Sequence, residues 1–292
     1  MKKRCLIVKN PYFSSTAVEN QTSRLQEEFL ALGAECDVRN NDLSLYIEDG
    51  RIDRERFGYD AVVYLDKDKY ALAALENSHI PVFNDYRSIT LCDDKALTAL
   101  ALSDADVPLP ETIFAPLCYS DSTPTDTSRL DVVEKKLGYP MIVKECYGSR
   151  GAAVYLVNDR RELYDVWNKL KTTPHLYQKF ISESYGRDLR VIVVGNDVLG
   201  AMMRKNDSDF RSNIAAGGNG YKYELSEELK KLSLRITSRL GLAYAGIDFL
   251  FGRDGYLLCE VNSNAFFEGF EKVTGINVAR AYARYVMSVI DK

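Results

Sequence analysis

The run YAGIDFLFGRDGYLLCEVN, residues 244–262, decides how the rest of the chain is read. Residues 245–251 and 256–261 are apolar and aromatic-rich, and Gly252-Arg253-Asp254-Gly255 between them is a short Gly-containing loop, the pattern of a β-hairpin. With a three-residue loop, Arg253-Asp254-Gly255, and a positive φ at Gly255, Asp248 falls directly across from Glu260. Asn262 comes two residues later and leaves the strand on the same face as Glu260. Two carboxylates and an amide oxygen pointing one way, among Ile247, Phe249, Leu258 and Val261, are costly to hold without a counter-charge. Magnesium meets that need, because it is bound through a few carboxylates plus substrate phosphates. A solvated strand face is the competing reading.

Composition bounds the rest. A chain of 292 residues, 46% hydrophobic and 27% charged, is an ordinary soluble protein with room for two or three compact units. A net charge of −4 gives no electrostatic footprint for nucleic acid. The six cysteines (Cys5, Cys36, Cys92, Cys118, Cys146, Cys259) show no short paired spacing, which argues against a disulfide framework or a zinc site and for free thiols in a reducing cytosol. With only His79 and His175, imidazole-centred chemistry is disfavoured. No apolar run approaches the roughly 18 residues of a membrane span, and the basic start precedes a short strand rather than a signal peptide. These features predict a cytoplasmic protein with no nucleic-acid and no membrane partner.

Along the chain, short strands at 5–8, 36–38, 61–65 and 81–83 alternate with helices carrying Val18, Thr22, Leu25 and Phe29 and spanning 69–76. This predicts a small parallel, Rossmann-like sheet over residues 1–90, without the Gly-x-Gly-x-x-Gly signature of a dinucleotide site. A helix at 93–103 carries Lys95, and 108–127 reads as an irregular connection with an edge strand. A compact α+β unit follows: helix 131–137, strand 141–144, the loop Gly148-Ser149-Arg150-Gly151, strand 152–157, helix 159–170 and strand 176–181. Trp167 shares a helix face with Leu163, Val166 and Leu170 and reads as core. Strands 189–194 and 198–203 form a second hairpin, residues 205–220 a polar stretch, and residues 226–240 a long helix ended by Gly241. After the first-quoted hairpin come a loop through Gly269 and a closing helix, 278–290. Its broad apolar face predicts packing inside the chain, with a homo-oligomer contact as the alternative.

Several scattered features would serve one nucleoside triphosphate. Lys144 ends a strand just before the Gly-rich loop, whose backbone N–H groups can close on phosphate oxygens, although the Walker spacing is absent. Gln178, Lys179, Phe180 and Ile181 read as a strand able to present backbone to an adenine edge, and Asp188 could accept from ribose hydroxyls. Arg211, between Asp209 and Asn213, is suited to charge developing in phosphoryl transfer. A hairpin turn, solvated lysines and a salt-bridged surface arginine are the bland readings of the same residues.

Taken together, Lys95, Lys144 with its loop, residues 178–181, Gly186-Arg187-Asp188-Leu189-Arg190, residues 209–213, Gly246-Ile247-Asp248 and Glu260-Val261-Asn262 resemble the ATP-grasp superfamily, in particular its RimK-like glutamate ligase branch. The resemblance covers nearly the whole chain. Its most specific parts are Asp-Phe-Arg-Ser-Asn (209–213), Glu-Val-Asn (260–262) and Gly-Phe-Glu-Lys-Val-Thr-Gly-Ile-Asn-Val-Ala (269–279).

It implies an α/β plus α+β ATP-grasp fold: a Rossmann-like pre-ATP-grasp domain at 1–90, a small lobe with the phosphate loop at 91–180, and a C-terminal lobe with the metal site at 181–292. It further implies ATP bound by Lys95, Lys144, Gly148, Ser149, Gly151, Gln178, Lys179, Phe180, Ile181, Asp188, Arg211, Ser212 and Asn213. Asp248, Glu260 and Asn262 would hold two magnesium ions, Glu260 bridging them, with manganese as the alternative ion. One departure stands out. The family commonly has Asn-Ala-Ser-Pro-Gly after Glu-Val, where this chain has Asn262-Ser263-Asn264-Ala265-Phe266-Phe267. Phe266, Phe267 and Phe270 read as packing.

The activity implied is ligation of a carboxylate to an amine through an acyl phosphate, the amine being glutamate or another amino acid and the acceptor a peptide, protein tail or small molecule. Arg211, with Arg190 and Arg204, would steady the phosphoryl and tetrahedral charge. The alternatives are an ATP-grasp ligase with a non-amino-acid acceptor and an ATP-binding module without turnover.

Overall fold

The computed structural model describes residues 2–41, 47–48, 51–52, 58–77, 80–121, 126–148, 151, 153–212 and 217–291. Ser149, Arg150, Asn213 and His79 lie outside the described residues.

The chain starts with β1 (Arg4–Lys9), α1 (Thr16–Ala31), β2 (Glu35–Asn40), the two-residue pair β3 (Ile47–Glu48) and β4 (Arg51–Ile52), β5 (Ala61–Tyr64), α2 (Lys69–Glu76) and β6 (Val82–Phe83). Strands β2-β1-β5-β6 form a parallel sheet. Its central strands are apolar on both faces, as burial under helices on either side demands: Cys5, Ile7, Ala61 and Val63 pack one way, Leu6, Val62 and Tyr64 the other. Ser15 caps α1 through the Val18 N–H, and Gly33, at φ +84°, turns the chain out of it.

Next come α3 (Tyr86–Asp93), α4 (Lys95–Leu102), β7 (Thr112–Phe114), α5 (Ser128–Leu137), β8 (Met141–Glu145), β9 (Val154–Val157), α6 (Arg160–Leu170) and β10 (His175–Lys179). An antiparallel sheet of order β7-β10-β8-β9 results, with α5 and α6 over one face. Trp167 is half-buried against that cluster. The sequence reading missed α3, because Asp94 caps α4 and interrupts the helical pattern one residue before Lys95.

The last part holds β11 (Arg187–Val194), β12 (Asp197–Lys205), β13 (Asn219–Tyr223), α7 (Glu227–Leu240), β14 (Tyr244–Gly252), β15 (Gly255–Asn262), α8 (Glu268–Thr274) and α9 (Val278–Ile290). Five antiparallel strands run β13-β12-β11-β14-β15. Leu229, Leu232, Ile236 and Leu240 of α7 cover one face, joined by Cys92, Leu102 and Val107 from α3, α4 and the residues after them. Helix α9 fills the space between the first sheet and this one: Val278, Tyr282 and Val286 pack with Ile7, Leu25 and Phe29 and with Ile192 and Tyr244. Its apolar face is therefore used within the chain. Two elements correct the sequence reading. The sequence reading placed no strand at 219–223, where β13 begins in the last two residues of the polar stretch, and the loop through Gly269 contains α8, whose Phe270 is 1% exposed. All six cysteines are free. No described helix is long and apolar enough to cross a membrane.

One side chain ties the first sheet to the hairpin. Asn84 is 1% exposed; its Nδ2 donates to Tyr244 O at 2.7 Å and Ser263 O at 2.8 Å, and its Oδ1 accepts from Ala243 N at 2.7 Å and Tyr244 N at 3.0 Å. Asn84→Ala removes the partner of four backbone groups, three of them on the buried Tyr244 and Ser263, so a loss of about 3 kcal/mol or more is expected from urea unfolding.

Candidate active site

The hairpin puts Asp248 opposite Glu260, as the sequence predicts, but by a different route. The turn has only Arg253 and Asp254 between the paired Gly252 and Gly255, and the register moves by one at Cys259, a bulge between the Phe249–Leu258 and Asp248–Glu260 pairs. Gly255 has the expected positive φ, +140°. The bulge sits at the residue before Glu260, which aims that carboxylate outward while burial pushes the Cys259 thiol up to about 11.

Across β11, β12, β14 and β15 a row of charge lies in register. Arg204 pairs with Asp188, Arg190 with Asp248, and Asp248 with Glu260. Arg204 Nε donates to Asp188 Oδ1 at 2.7 Å, and its Nη2 reaches Asp248 Oδ2 at 3.0 Å. Arg190 donates to both Asp248 oxygens, from Nε to Oδ1 and from Nη2 to Oδ2 at 2.8 Å. Asp248, Asp188 and Arg204 are 3%, 7% and 5% exposed, so two buried carboxylates are balanced by two guanidiniums. Burial works to raise the Asp248 pKa, but Arg190 and Arg204 hold it below the ordinary range. Burial likewise opposes the charge on Arg204, and the two aspartates raise its pKa nonetheless. Gly246 keeps this row close to the next loop: a Cβ there would run into the Ala265 methyl and stand 3.2 Å from Arg190 Cδ.

A cleft of about 110 Å³ separates this face from the sheet of β7, β8, β9 and β10. Of the residues expected to bind nucleotide or metal, Lys95, Lys144, Gly151, Gln178, Lys179, Phe180, Ile181, Asp188, Arg211, Ser212, Asp248 and Glu260 all line it. Lys95 Nζ donates to Gly148 O at 3.1 Å and stands 3.8 Å from Glu260 Oε1. Arg211 Nη1 donates to Gly151 O at 2.9 Å, fastening the Gly-rich loop, while its Nη2 pairs with Asp209 Oδ2 at 2.7 Å. That pairing lowers the Asp209 pKa and raises that of Arg211.

One expectation needs correction. The strand ends at Lys179 rather than at residue 181; up to that point its neighbours β7 and β8 take its edges, and Gln178 Nε2 donates to Thr112 Oγ1 at 2.9 Å. The backbone leaves the ladder only at Phe180 and Ile181. Sequence reasoning also missed the apolar walls of the cleft, Ile142, Val154 and Leu250. Leu250 could have been found as the residue two after Asp248 on the same strand face.

A second, larger cavity of about 530 Å³ opens on the other side of Glu260, lined by Arg190, Arg204, Glu260, Asn262, Gly148 and residues 263–266. The N-terminal part contributes Asn10, Phe13, Gln21 and Asp66, which carry no motif that the sequence could have revealed. Phe267 and Phe270 are 1% exposed, as packing predicts; Phe266, 36% exposed, lines this cavity together with Phe270. Asn262 lines the same cavity and Asp248 the cleft, with Glu260 between them bordering both spaces. Among the described residues no group of three or more His, Cys, Asp or Glu could hold a metal alone. The donor set, two carboxylates and an amide oxygen, fits magnesium that takes its remaining ligands from phosphate.

The sequence model of the RimK-like ATP-grasp domain matches residues 92–286. The chain belongs to the RimK-like ATP-grasp family. It is 36% identical to human N-acetylaspartylglutamate synthase A over 231 residues, covering 78% of this chain and 58% of that protein. It therefore spans under two thirds of the length of that relative. A Legionella pneumophila protein described as a probable alpha-L-glutamate ligase is 31% identical over 218 residues, 74% of this chain and 70% of its own. The crystal structure of a RimK domain ATP-grasp protein from Sphaerobacter thermophilus superposes with a TM-score of 0.70 at 21% identity, over 97% of this chain and 99% of that one. The ATP-grasp fold expected from the sequence is thus present, a Rossmann-like sheet preceding the two antiparallel sheets that face each other across the cleft.

Proposed function

We propose that the chain is an ADP-forming carboxylate–amine ligase, with MgATP in the cleft between the two antiparallel sheets and the acid and amine in the larger cavity. Glu260 carries this reading: it borders both spaces, where a phosphoryl group would pass from nucleotide to acid. Lys95 and Lys144 hold phosphates with the Gly148 to Gly151 loop, and Phe180 and Ile181 take the adenine. Asp188, already held by Arg204, offers its outer lone pairs to the ribose; Ser212 and Asn213 contact the nucleotide. Asp248, Glu260 and Asn262 would hold the magnesium ions, two in number with Glu260 shared between them, and manganese would substitute. Bound there, the cations would neutralise charge on the phosphates as the γ-phosphoryl group is transferred.

A carboxylate oxygen of the acid attacks the γ-phosphorus as the bond to ADP breaks. The amine nitrogen then attacks the acyl carbon, phosphate leaves, and an amide forms with loss of the amine proton. Arg211 and Arg190 steady the phosphoryl and tetrahedral oxyanions. Arg204 acts from beneath, by fixing Asp188 and Asp248. The amine is glutamate or another amino acid, and the sheets exclude water so that the acyl phosphate meets the amine first. Coupled assays should show ADP release that requires both an acid and an amine; ADP release at the full rate with neither would count against the reading.

A further inference from the structure

The loop between β15 and α8, residues 263–267, has no proline or glycine of its own to set its path, yet residues 263–266 form part of the wall of the larger cavity. What holds it comes from elsewhere in the chain. Ser263 O accepts from Asn84 Nδ2 at 2.8 Å, and Asn264 Nδ2 donates to Asp66 O at 3.0 Å. Ala265 O accepts two hydrogen bonds, from the Tyr244 hydroxyl at 2.6 Å and from Gln21 Nε2 at 3.1 Å.

Those two donors reach one carbonyl from opposite ends of the chain. Tyr244 opens β14, and its ring stacks on Tyr282 of α9 with centroids 4.8 Å apart, which fixes where the hydroxyl points. Gln21 belongs to α1, and both it and Ala265 are buried. The Ala265 methyl lies over Gly246, where a Cβ would exclude it, beside Arg190 Cδ. A buried carbonyl left without a donor is costly, so the loop stays where the two donors meet it. Residues 263–266 border the larger cavity and not the nucleotide cleft, so a shift of this loop would be felt by the acid and amine and not by ATP.

We infer that Gln21 and Tyr244 are positioning residues of the ligase: by donating together to Ala265 O they hold residues 263–266 as the wall of the cavity in which the acid is activated. Gln21 does so from α1, which carries none of the nucleotide or metal residues. The first sheet and its helices thereby become part of the geometry of the reaction, through a backbone carbonyl that two side chains share.

This inference rests on the ligase reading, and its test separates the two. ADP release by the full chain is measured with MgATP, an equimolar mixture of the standard amino acids as amine source, and one N-acetylated amino acid at a time as acid, the mixture alone being the baseline. The acid with the highest kcat/KM is then used with the variants. Gln21→Met and Tyr244→Phe should each raise the KM for that acid about threefold at unchanged KM for ATP, because Ala265 O keeps one donor. The double variant should raise it about thirtyfold or more, beyond the product of the single effects, because the carbonyl then has none. A merely structural role would lower kcat with the folded fraction and leave both KM values in place. In the single variants, hydrogen exchange at residues 263–266 should quicken while β11 and β14 keep their protection. An acid KM in the double variant no higher than that product, a KM for ATP that rises in step with it, or unchanged exchange at 263–266 would overturn the inference and leave the ligase standing. No ADP release above baseline with any acid would overturn both.

Discussion

Glu260→Gln is expected to cut acid- and amine-dependent ADP release by about a thousandfold or more, on the scale of losing a charge-stabilising group at the reacting centre. The size follows from position. Glu260 is the carboxylate shared by the nucleotide cleft and the larger cavity, and its side chain, 25% exposed, is aimed there by the bulge at Cys259. Its one ion-pair partner among the described residues is Lys95, at 3.8 Å, too long for a hydrogen bond, so the pair adds little to folding. The amide fills the same volume, so the midpoint of thermal unfolding should stay close to that of the unaltered protein. Activity within a few fold of normal would remove Glu260 from the metal site.

Arg204→Met should have the opposite profile, a large effect on stability. Arg204 neutralises Asp188 alone and Asp248 together with Arg190, all beneath the cleft surface. Truncating it leaves the Asp188 carboxylate buried without a cation, and a loss of about 3–5 kcal/mol follows from breaking a buried pair on one side. Urea unfolding checks the figure. Adding Asp188→Leu should restore much of the loss, since an apolar pair of similar volume tolerates the site without the charge. An unchanged urea midpoint in the single variant would mean that the row of charge does not order this sheet.

The parts of the fold legible in the sequence were those with a strong local signal. Helix α9 and α2 run over the spans predicted for them, and α7 differs by one residue at its start, because apolar spacing and caps such as Ser226 and Gly241 are encoded nearby. The α3–α4 break was hidden by a capping aspartate, and β13 by a polar sequence whose pairing comes from β12 rather than from its own residues. At the site, motifs gave the residues but not their partners. That Asp248 is gripped by Arg190 and Arg204 depends on which strands adjoin, a long-range fact. The wall built by Asn10, Gln21 and Asp66 depends on how the first sheet docks, and nothing in those residues announces it.

The acyl phosphate is the centre of the account, and oxygen tracing tests it most directly. The acid is supplied with both carboxylate oxygens as oxygen-18, and the inorganic phosphate released during amide formation is weighed by mass spectrometry. One heavy oxygen transferred into each phosphate, in step with ADP, is the predicted result. Phosphate carrying only ordinary oxygen, while labelled amide accumulates, would contradict it.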